Sequence, residues 1–377
     1  MATQSSNSNA NGKRQARIAV VGTGWWATTA HLPALAANPD AVIAAVCDQR
    51  GDVLARVADK FDVRKSYSDY AEMLKQEELD GVIISVWSAA HYEVAHACLE
   101  RKLHVLVEKP LVLYAKHAKE LVDLARHVER ELIVGYPFHY CERARQARDV
   151  VMSGEIGEVQ YINCYFSSTV IDFLRGDDKP FGKLYPYALV GPGNVYSDTE
   201  RSGGGQGQLQ LTHAAALVHF ITGLRPVQAS ALMNNLDTKV DVVDAILTRM
   251  DNGALATFGS TGNLHVADPG KLSIQINCER GWIDFDFITG AGKIRRADGS
   301  EEQLPALDTA EPPPGCEQSE ILYPLRAPAN NLVDVVLGKG SNESGGEIGW
   351  HTVELLDAAY RSASLSGQVV RIESLYS

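Results

Sequence analysis

Short apolar runs alternate with helical patterns over the first 136 residues of the chain. The apolar runs have the length of buried strands, and the segments between them repeat their apolar residues with the 3.6-residue period of a helix. The predicted strands cover 17–21, 41–47, 81–86, 103–107 and 131–135, and the predicted helices lie near 30–38, 51–60, 68–76, 91–101 and 115–129. This alternation predicts an α/β domain built on a doubly wound parallel sheet.

After about residue 150 the period changes to two, which is typical of strands with one buried face. The predicted strands cover 158–168, 227–234, 241–250, 253–260, 270–278 and 281–286, and a helix is expected at 347–364. Turn signals such as Asn252-Gly253 join several strands, so we expect an antiparallel sheet. The segment 169–208 is rich in Gly, Pro, Asp and Tyr, and irregular segments of this length are often functional.

The chain has 377 residues, which is too many for one ordinary core and predicts two domains. The change in period sets the boundaries: a disordered tail over 1–15, a first domain over 16–136 and a second over 137–377. The tail is polar and lacks the apolar core of an export signal.

The composition excludes several classes of partner. A net charge of −12 argues against nucleic acid and anionic membrane surfaces, because both require a basic protein surface. No apolar run reaches membrane-spanning length. The 6 cysteines are widely and irregularly spaced, which favours reduced thiols in a cytoplasmic protein. No metal site is predicted.

The first strand runs into Gly22-Thr23-Gly24, a pattern typical of a dinucleotide-binding turn. Gly22 permits the tight turn, Gly24 allows the backbone to approach a pyrophosphate, and Ala27 takes the third position. Asp48 ends the second strand, where an acid can bind ribose hydroxyls and repel a 2′-phosphate. We therefore expect NAD, with NADP possible because Arg50 could bind that phosphate.

Three tryptophans lie near this predicted site. Trp25 and Trp26 follow the second glycine, and we expect at least one of them to contact the cofactor. Trp87 closes the strand at 81–86, where ligands gather in such sheets, and could form a wall of the cleft.

The run 105–107 ends in Glu108-Lys109-Pro110. Neighbouring strand residues point to opposite faces, so Glu108 and Lys109 should have different roles. Pro110 restricts the backbone before it, which sets the direction of Lys109. A lysine at this strand end would lie over the nucleotide.

Together with Gly22–Ala27, His31-Leu32-Pro33, Asp48 and His91, the stretch 104–111 resembles the glucose–fructose oxidoreductase and inositol dehydrogenase family, Gfo/Idh/MocA. The resemblance continues through 153–159 and 203–213 into the last helix. It implies an N-terminal Rossmann doubly wound parallel sheet and a C-terminal α+β domain with a large open antiparallel sheet. It also implies NAD(P)-dependent oxidation of a secondary hydroxyl of a sugar, polyol or glycoside, or the reverse reduction.

The same resemblance implies roles for individual residues. Lys109 would be the general acid/base and His213 would share this work. Glu108, Lys109 and His91 would belong to the cofactor site. Exposed sheets in this family usually associate, so a homo-oligomer, either a dimer or a tetramer, is expected.

The sequence departs from the family pattern beside His213. Members commonly have an acid four residues earlier, where this chain has Leu209. An amide such as Gln210 could bind substrate instead, Asp198 could replace the acid, or the proton relay could involve lysine and histidine alone. His139 takes the place of a common arginine and is a substrate-side candidate, as is Tyr196 in the segment 169–208.

Two other functions stay open from the sequence. The protein could keep NAD tightly bound and form a transient 3-keto sugar for elimination or epimerisation. It could also be a regulator that binds the dinucleotide without catalysis, although such a sensor has no need of Lys109 and His213.

Overall fold

The computed structural model describes residues 14–184, 186–265, 268–307 and 320–377. The predicted tail lies outside the described residues except for its last two members. Arg14 forms an ion pair with Asp80, and the Gln15 side chain donates to the Pro39 carbonyl. These two residues therefore belong to the folded part of the protein.

The part of the chain up to residue 136, called here the first half, folds around a six-stranded parallel sheet, and the part from residue 137 is called the second half. The strand order of the first sheet is β3-β2-β1-β4-β5-β6. Its strands are β1 Ala16–Val21, β2 Ala41–Cys47, β3 Ser66–Tyr67, β4 Gly81–Ile84, β5 His104–Glu108 and β6 Leu132–Gly135. β4 and β6 are buried throughout, because helices cover both faces of the sheet. The predicted parallel sheet is confirmed, and the prediction lacked only the two-residue β3.

Helices connect these strands. They are α1 Leu32–Ala37, α2 Gly51–Lys60, α3 Tyr70–Gln76, α4 His91–Glu100 and α5 Ala115–His127, with a π-helical turn over Ala27–His31 and 3-10 turns over Ser88–Ala90 and Pro137–Tyr140. The strand order reverses direction at β1, since β2 and β4 lie on its two sides. Ligands of such sheets bind at the carboxyl ends of the strands beside this point.

The second half contains a nine-stranded sheet in the order β14-β13-β12-β11-β7-β10-β9-β8-β15. Its strands are β7 Val159–Ser167, β8 Pro226–Asn234, β9 Val243–Met250, β10 Leu255–Thr261, β11 Lys271–Cys278, β12 Trp282–Asp286, β13 Ala291–Arg295, β14 Glu301–Leu304 and β15 Val370–Arg371. Neighbours pair antiparallel except β7 and β10, which are parallel. The large, mostly antiparallel sheet is confirmed.

Helices pack on one face of this sheet and leave the other face open, as the strict alternation of buried and exposed residues in β9 shows. The helices after residue 137 are α6 Glu142–Met152, α7 Ile171–Arg175, α8 Lys179–Leu184, α9 Thr199–Ser202, α10 Thr212–Thr222, α11 Ala327–Val336 and α12 Gly346–Ser364, with a π-helical turn over Gly207–Leu211 and 3-10 turns over Val195–Ser197 and Ile372–Leu375. Among them, α6, α10 and α12 contact strands of the nine-stranded sheet. The segment 169–208, predicted as irregular, thus contains three short helices.

The hydrophobic periodicity of the sequence indicated neither α10, which bears His213, nor α11. α10 is buried on every side, so its sequence has no polar face and no amphipathic period. α11 returns to the first sheet, where Leu332 and Val333 pack with Ile18. The chain after residue 137 therefore contributes to both cores. Among the described residues, no helix combines the length and the apolar character needed to cross a membrane.

Candidate active site

A cleft of about 1260 Å³ opens at the carboxyl ends of the parallel strands. One wall comes from the ends of β1, β2, β4 and β5, and the other comes from the second half of the chain. The wall residues among those predicted are Gly22, Gly24, Trp25, Trp26, Asp48, Trp87, Glu108, Lys109, Tyr196, Gln210 and His213. The fold therefore brings most of the predicted site residues into one cavity.

The turn after β1 has the shape that a dinucleotide phosphate requires. Gly22 has a φ of +88°, and a Cβ on it would overlap the Ser85 carbonyl. Gly24 lies in the cleft wall, and a Cβ there would meet only Arg50 Nη2, at 3.5 Å. The backbone is thus open to a pyrophosphate at this turn, so the residues present fit NAD.

Asp48 is buried at the end of β2 with its carboxylate fully engaged. Its Oδ2 accepts the Thr23 amide at 2.8 Å and Arg50 Nη2 at 2.9 Å, while Oδ1 accepts Arg50 Nε at 3.0 Å. Burial alone would raise the pKa of Asp48, but these hydrogen bonds outweigh it and hold the pKa below its ordinary value. Asp48 is therefore an anion at the ribose end of the cleft, joined to a half-exposed guanidinium.

The tryptophans lie where the two halves of the chain meet. Trp25 makes ring contacts with Phe173, Phe181 and Tyr187, at centroid distances of 5.5, 6.0 and 5.8 Å. Residues from 169–208 thus pack against the dinucleotide turn. Trp87 is 40% exposed, and the Arg201 guanidinium lies 5.6 Å from its ring centroid.

Lys109 extends from the end of β5 toward the second half of the chain. Its Nζ donates to the Leu209 main-chain carbonyl at 2.9 Å. Leu209 lies in the π-helical turn before α10, where the Thr212 amide donates to Gly207. Such turns are rare and recur at functional sites. The neutral carbonyl of Leu209 thus accepts from the lysine at the sequence position where the resemblance implied an acid.

The environment of Lys109 favours its neutral amine. Burial lowers the pKa of Lys109 to about 8, and the negative charge of Glu108 opposes this shift only in part. Glu108 itself points away to His31, whose Nε2 lies 2.8 Å from Glu108 Oε1. As expected from strand geometry, the two neighbouring residues have different partners.

His213 lies on α10 in the wall of the same cleft. Burial, together with the neighbouring charge of Lys109, lowers the pKa of His213 well below its ordinary value, so the imidazole is neutral at neutral pH. Its ring lies between Tyr136, Phe138 and Tyr323, with centroid distances of 5.9 to 6.0 Å. Nδ1 is buried without a hydrogen-bond partner among the described residues. The ring is therefore held by aromatic packing.

Two predicted site residues do not line the cleft. His91 is buried, with Nδ1 2.8 Å from the Pro110 carbonyl and Nε2 3.2 Å from the Val86 carbonyl, so it joins the ends of β4 and β5. His139 is fully buried, stacks on Phe220 at 4.6 Å and lies 2.9 Å from Ser344 Oγ. The structure therefore places both histidines in the interior, outside the cleft wall, and their contact with cofactor or substrate stays a prediction.

Asp198 is also outside the cleft wall. Its Oδ1 accepts the Glu200 amide at the start of α9, and its Oδ2 pairs with Arg201 at 3.3 Å. The structure therefore places Asp198 at the start of α9, outside the wall that bears Lys109. Tyr196 and Gln210 do line the cleft, and burial raises the pKa of the Tyr196 hydroxyl.

Sequence reasoning missed several residues of this wall. Tyr323 contacts Phe138, His213 and Trp26, and no pattern in its surroundings indicated a site. Arg201 and Phe138 reach the cleft from a short helix and a 3-10 turn, neither of which was predicted. These residues come from irregular segments whose position only the fold determines.

Comparison with models of protein families shows which family the chain belongs to. Residues 16–136 match the model of the oxidoreductase family with an NAD-binding Rossmann fold, and residues 144–284 match the model of the Gfo/Idh/MocA C-terminal domain. The chain belongs to the Gfo/Idh/MocA oxidoreductase family. Residues 16–136 are therefore an NAD-binding Rossmann domain.

Three relatives illustrate what this family member resembles. A dTDP-3,4-didehydro-2,6-dideoxy-alpha-D-glucose 3-reductase of Saccharopolyspora spinosa is 27% identical over 66% of this chain and 68% of the relative. A D-glucoside 3-dehydrogenase of Escherichia coli is 29% identical over 38% of this chain and 41% of the relative. A crystal structure of an Agrobacterium radiobacter oxidoreductase in complex with NAD+, L-tartaric acid and magnesium has a TM-score of 0.76 at 21% identity, covering 96% of this chain and 99% of that one.

These similarities support different conclusions. The solved structure shows the shared fold, because its identity to this chain is low. The glucoside dehydrogenase aligns over less than half of its own length. Both curated relatives act on sugars by name, and the chain is accordingly an oxidoreductase similar to sugar dehydrogenases and reductases.

The geometry at Asp48 predicts how cofactor choice responds to substitution. In Asp48→Ala the ribose end loses its anion, so we expect the preference for NAD over NADP, measured as the ratio of kcat/KM values, to fall roughly ten- to a hundredfold. Arg50→Ala is the matched control, because it keeps the carboxylate and should lower only the use of NADP. An unchanged ratio in Asp48→Ala would show that Asp48 does not select the cofactor.

Proposed function

We propose that this protein catalyses the NAD-dependent oxidation of a secondary hydroxyl of a sugar, polyol or glycoside to a ketone, or the reverse reduction. The observation that supports it most is Lys109 Nζ, held 2.9 Å from the Leu209 carbonyl in the dinucleotide cleft. The curated relatives named above act on sugars, which agrees with this proposal. NADP is a possible alternative cofactor through Arg50.

Lys109 is proposed as the group that moves the proton. A pKa of about 8 leaves about a tenth of the amine free at neutral pH, far more than for an ordinary lysine, so Nζ can accept the hydroxyl proton during oxidation. In the reverse direction its ammonium form gives a proton to the developing alkoxide. The nicotinamide ring, when bound, accepts or donates the hydride.

His213 is proposed to share this work as a neutral ring. Because its pKa is depressed, it can hydrogen-bond the reacting oxygen without adding a second positive charge beside Lys109. The missing acid and the position of Asp198 leave lysine and histidine as the proposed pair. Gln210 and Tyr196, which line the cleft, are proposed to bind substrate hydroxyls.

The cleft wall also favours a glycoside over a free monosaccharide. Residues from 169–208 form part of the wall and add the aromatic side chains of Phe173, Phe181 and Tyr196. Aromatic faces suit the apolar faces of sugar rings. The alternatives of elimination or epimerisation through a 3-keto sugar, and of a regulator without catalysis, are not favoured by the relatives found.

We also propose that the protein forms a homo-oligomer through the open face of the nine-stranded sheet. Tyr161, Leu247 and Leu255 project there from three neighbouring strands, with exposures of 39%, 51% and 39%. Leu255 pairs with Tyr161 across the sheet, and Leu247 pairs with Thr257, so their side chains form one patch. Contiguous apolar patches of this kind mark interaction surfaces. The cytoplasmic location stays a prediction.

A screen of sugars, polyols and glycosides with NAD, followed by the absorbance of reduced cofactor, tests the function. We expect turnover of at least one glycoside, and a loss of kcat of roughly a thousandfold or more in Lys109→Met, because proton transfer loses its acceptor. Lys116→Met, an exposed lysine of α5, is the control. Full activity of Lys109→Met, or no reduction of NAD with any substrate while the cofactor binds, would contradict the proposal.

Analytical ultracentrifugation tests the oligomer. We expect a dimer or tetramer, and a shift toward smaller species in Leu247→Arg, because a charge within the patch opposes its burial. Leu365→Arg is the control, since Leu365 is similarly exposed but lies at the end of α12. A wild-type protein that stays monomeric over the concentrations measured would overturn the proposed interface.

A further inference from the structure

Two carboxyl groups lie buried behind the cleft, on the segment between β8 and β9 and at the start of β9. Asp241 is 4% exposed and Asp244 is 2% exposed. Neither belongs to the cleft wall, so the proposed chemistry does not use them directly. Buried acids are costly unless they are satisfied by hydrogen bonds, so their partners indicate what they do.

Asp241 accepts donors from the start of the helix that bears His213. Its Oδ1 accepts the Gly205 amide at 2.7 Å, and its Oδ2 accepts the Gly207 amide at 2.7 Å. The Tyr360 hydroxyl donates to Oδ1 at 2.8 Å. An anion at this position satisfies amides that the helix itself leaves unpaired and interacts favourably with the helix dipole.

The close approach of these groups requires glycine. A Cβ on Gly205 would overlap the Asp241 carbonyl, and a Cβ on Gly207 would lie 2.6 Å from the Tyr360 hydroxyl oxygen. The absence of side chains in the glycine-rich run before His213 therefore allows Asp241 and Tyr360 to pack against its backbone.

The second buried acid, Asp244, has a different environment from Asp241. Burial, together with the negative charge of Asp241, raises the pKa of Asp244 well above its ordinary value. The Ser260 hydroxyl donates to its Oδ2 at 2.6 Å. Asp244 is thus the neutral member of the pair, while the Asp241 side chain accepts the two glycine amides at the start of the helix.

A continuous line of hydrogen bonds connects Asp241 to Lys109. Asp241 accepts from the Gly205 amide, the Leu209 amide donates to the Gly205 carbonyl at 2.8 Å, and the Leu209 carbonyl accepts from Lys109 Nζ at 2.9 Å. We propose that Asp241, supported by Tyr360, is a positioning residue that holds the Leu209 carbonyl against Lys109. This inference rests on the proposed function and adds to it a residue outside the cleft.

Asp241→Asn tests the proposal, because an amide group would direct N–H atoms at one of the glycine amides. We expect kcat to fall roughly tenfold to a hundredfold through misplacement of Lys109, with the KM for NAD unchanged. Lys109 would also lose an acceptor that favours its ammonium form, so its pKa should fall by about half a unit or more. The charge of Glu108, which acts on Lys109, and the neighbouring ring of His213 are present in every variant, so neither confounds the comparison.

The pKa of Lys109 is measured without substrate, by NMR titration of protein labelled at the lysine ¹³Cε, with the signal assigned by its absence in Lys109→Met. Asp244→Asn is the matched control, because it replaces a neutral buried acid and should keep the wild-type pKa and kcat. Tyr360→Phe keeps the carboxylate and should give a smaller shift in the same direction. If the Asp241→Asn protein does not fold, Tyr360→Phe tests the proposal in its place.

The outcomes are distinct. A lowered Lys109 pKa in Asp241→Asn or Tyr360→Phe, with Asp244→Asn unchanged, supports the proposal. A wild-type pKa in folded Asp241→Asn and Tyr360→Phe, even with reduced thermal stability, overturns it and leaves Asp241 a structural residue. Failure of the wild type to oxidise any sugar would contradict the proposed function instead, because the NMR measurement does not depend on turnover.

Discussion

The hydrogen bond from Lys109 Nζ to the Leu209 carbonyl connects the two halves of this protein at the point where chemistry is proposed. Lys109 lies at the end of a strand of the first sheet, and Leu209 lies at the start of a helix packed on the second. The bond therefore requires that the first sheet and the helix on the second sheet are correctly positioned relative to each other. The glycine turn and Asp48 define the cofactor end of the same cleft, and His213 lies on the helix that continues from Leu209.

The character of this bond explains why the family's missing acid need not have a replacement. A carboxylate beside Lys109 would stabilise its ammonium form, whereas a carbonyl orients the amine with a smaller effect on its charge. Burial can then bring the pKa of Lys109 to about 8. His213 is neutral for the same reason, so the site combines a titratable amine with a neutral ring. The Asp241 side chain lies behind the helix, where it accepts two backbone amides.

Much of the fold could be predicted because each core leaves its own period in the sequence. The buried strands and the Asn252-Gly253 turn were readable, whereas α10 was not, because a helix buried on all sides has no period. Lys109 and Asp48 were found from their positions at strand ends. The partner of Lys109 could not be found, because any residue can supply a main-chain carbonyl. The burial of His139 could not be predicted, because it depends on the 3-10 turn over Pro137–Tyr140, which directs the ring into the core against Phe220.

The pH dependence of kcat/KM for oxidation tests the central claim most directly, namely that Lys109 accepts the proton as a lysine of depressed pKa. Because the free amine is the active form, the rate should rise with pH through a midpoint near 8. This limb should be absent from the residual activity of Lys109→Met. A midpoint above about 10, as for an ordinary lysine, or an identical limb in Lys109→Met, would contradict the account.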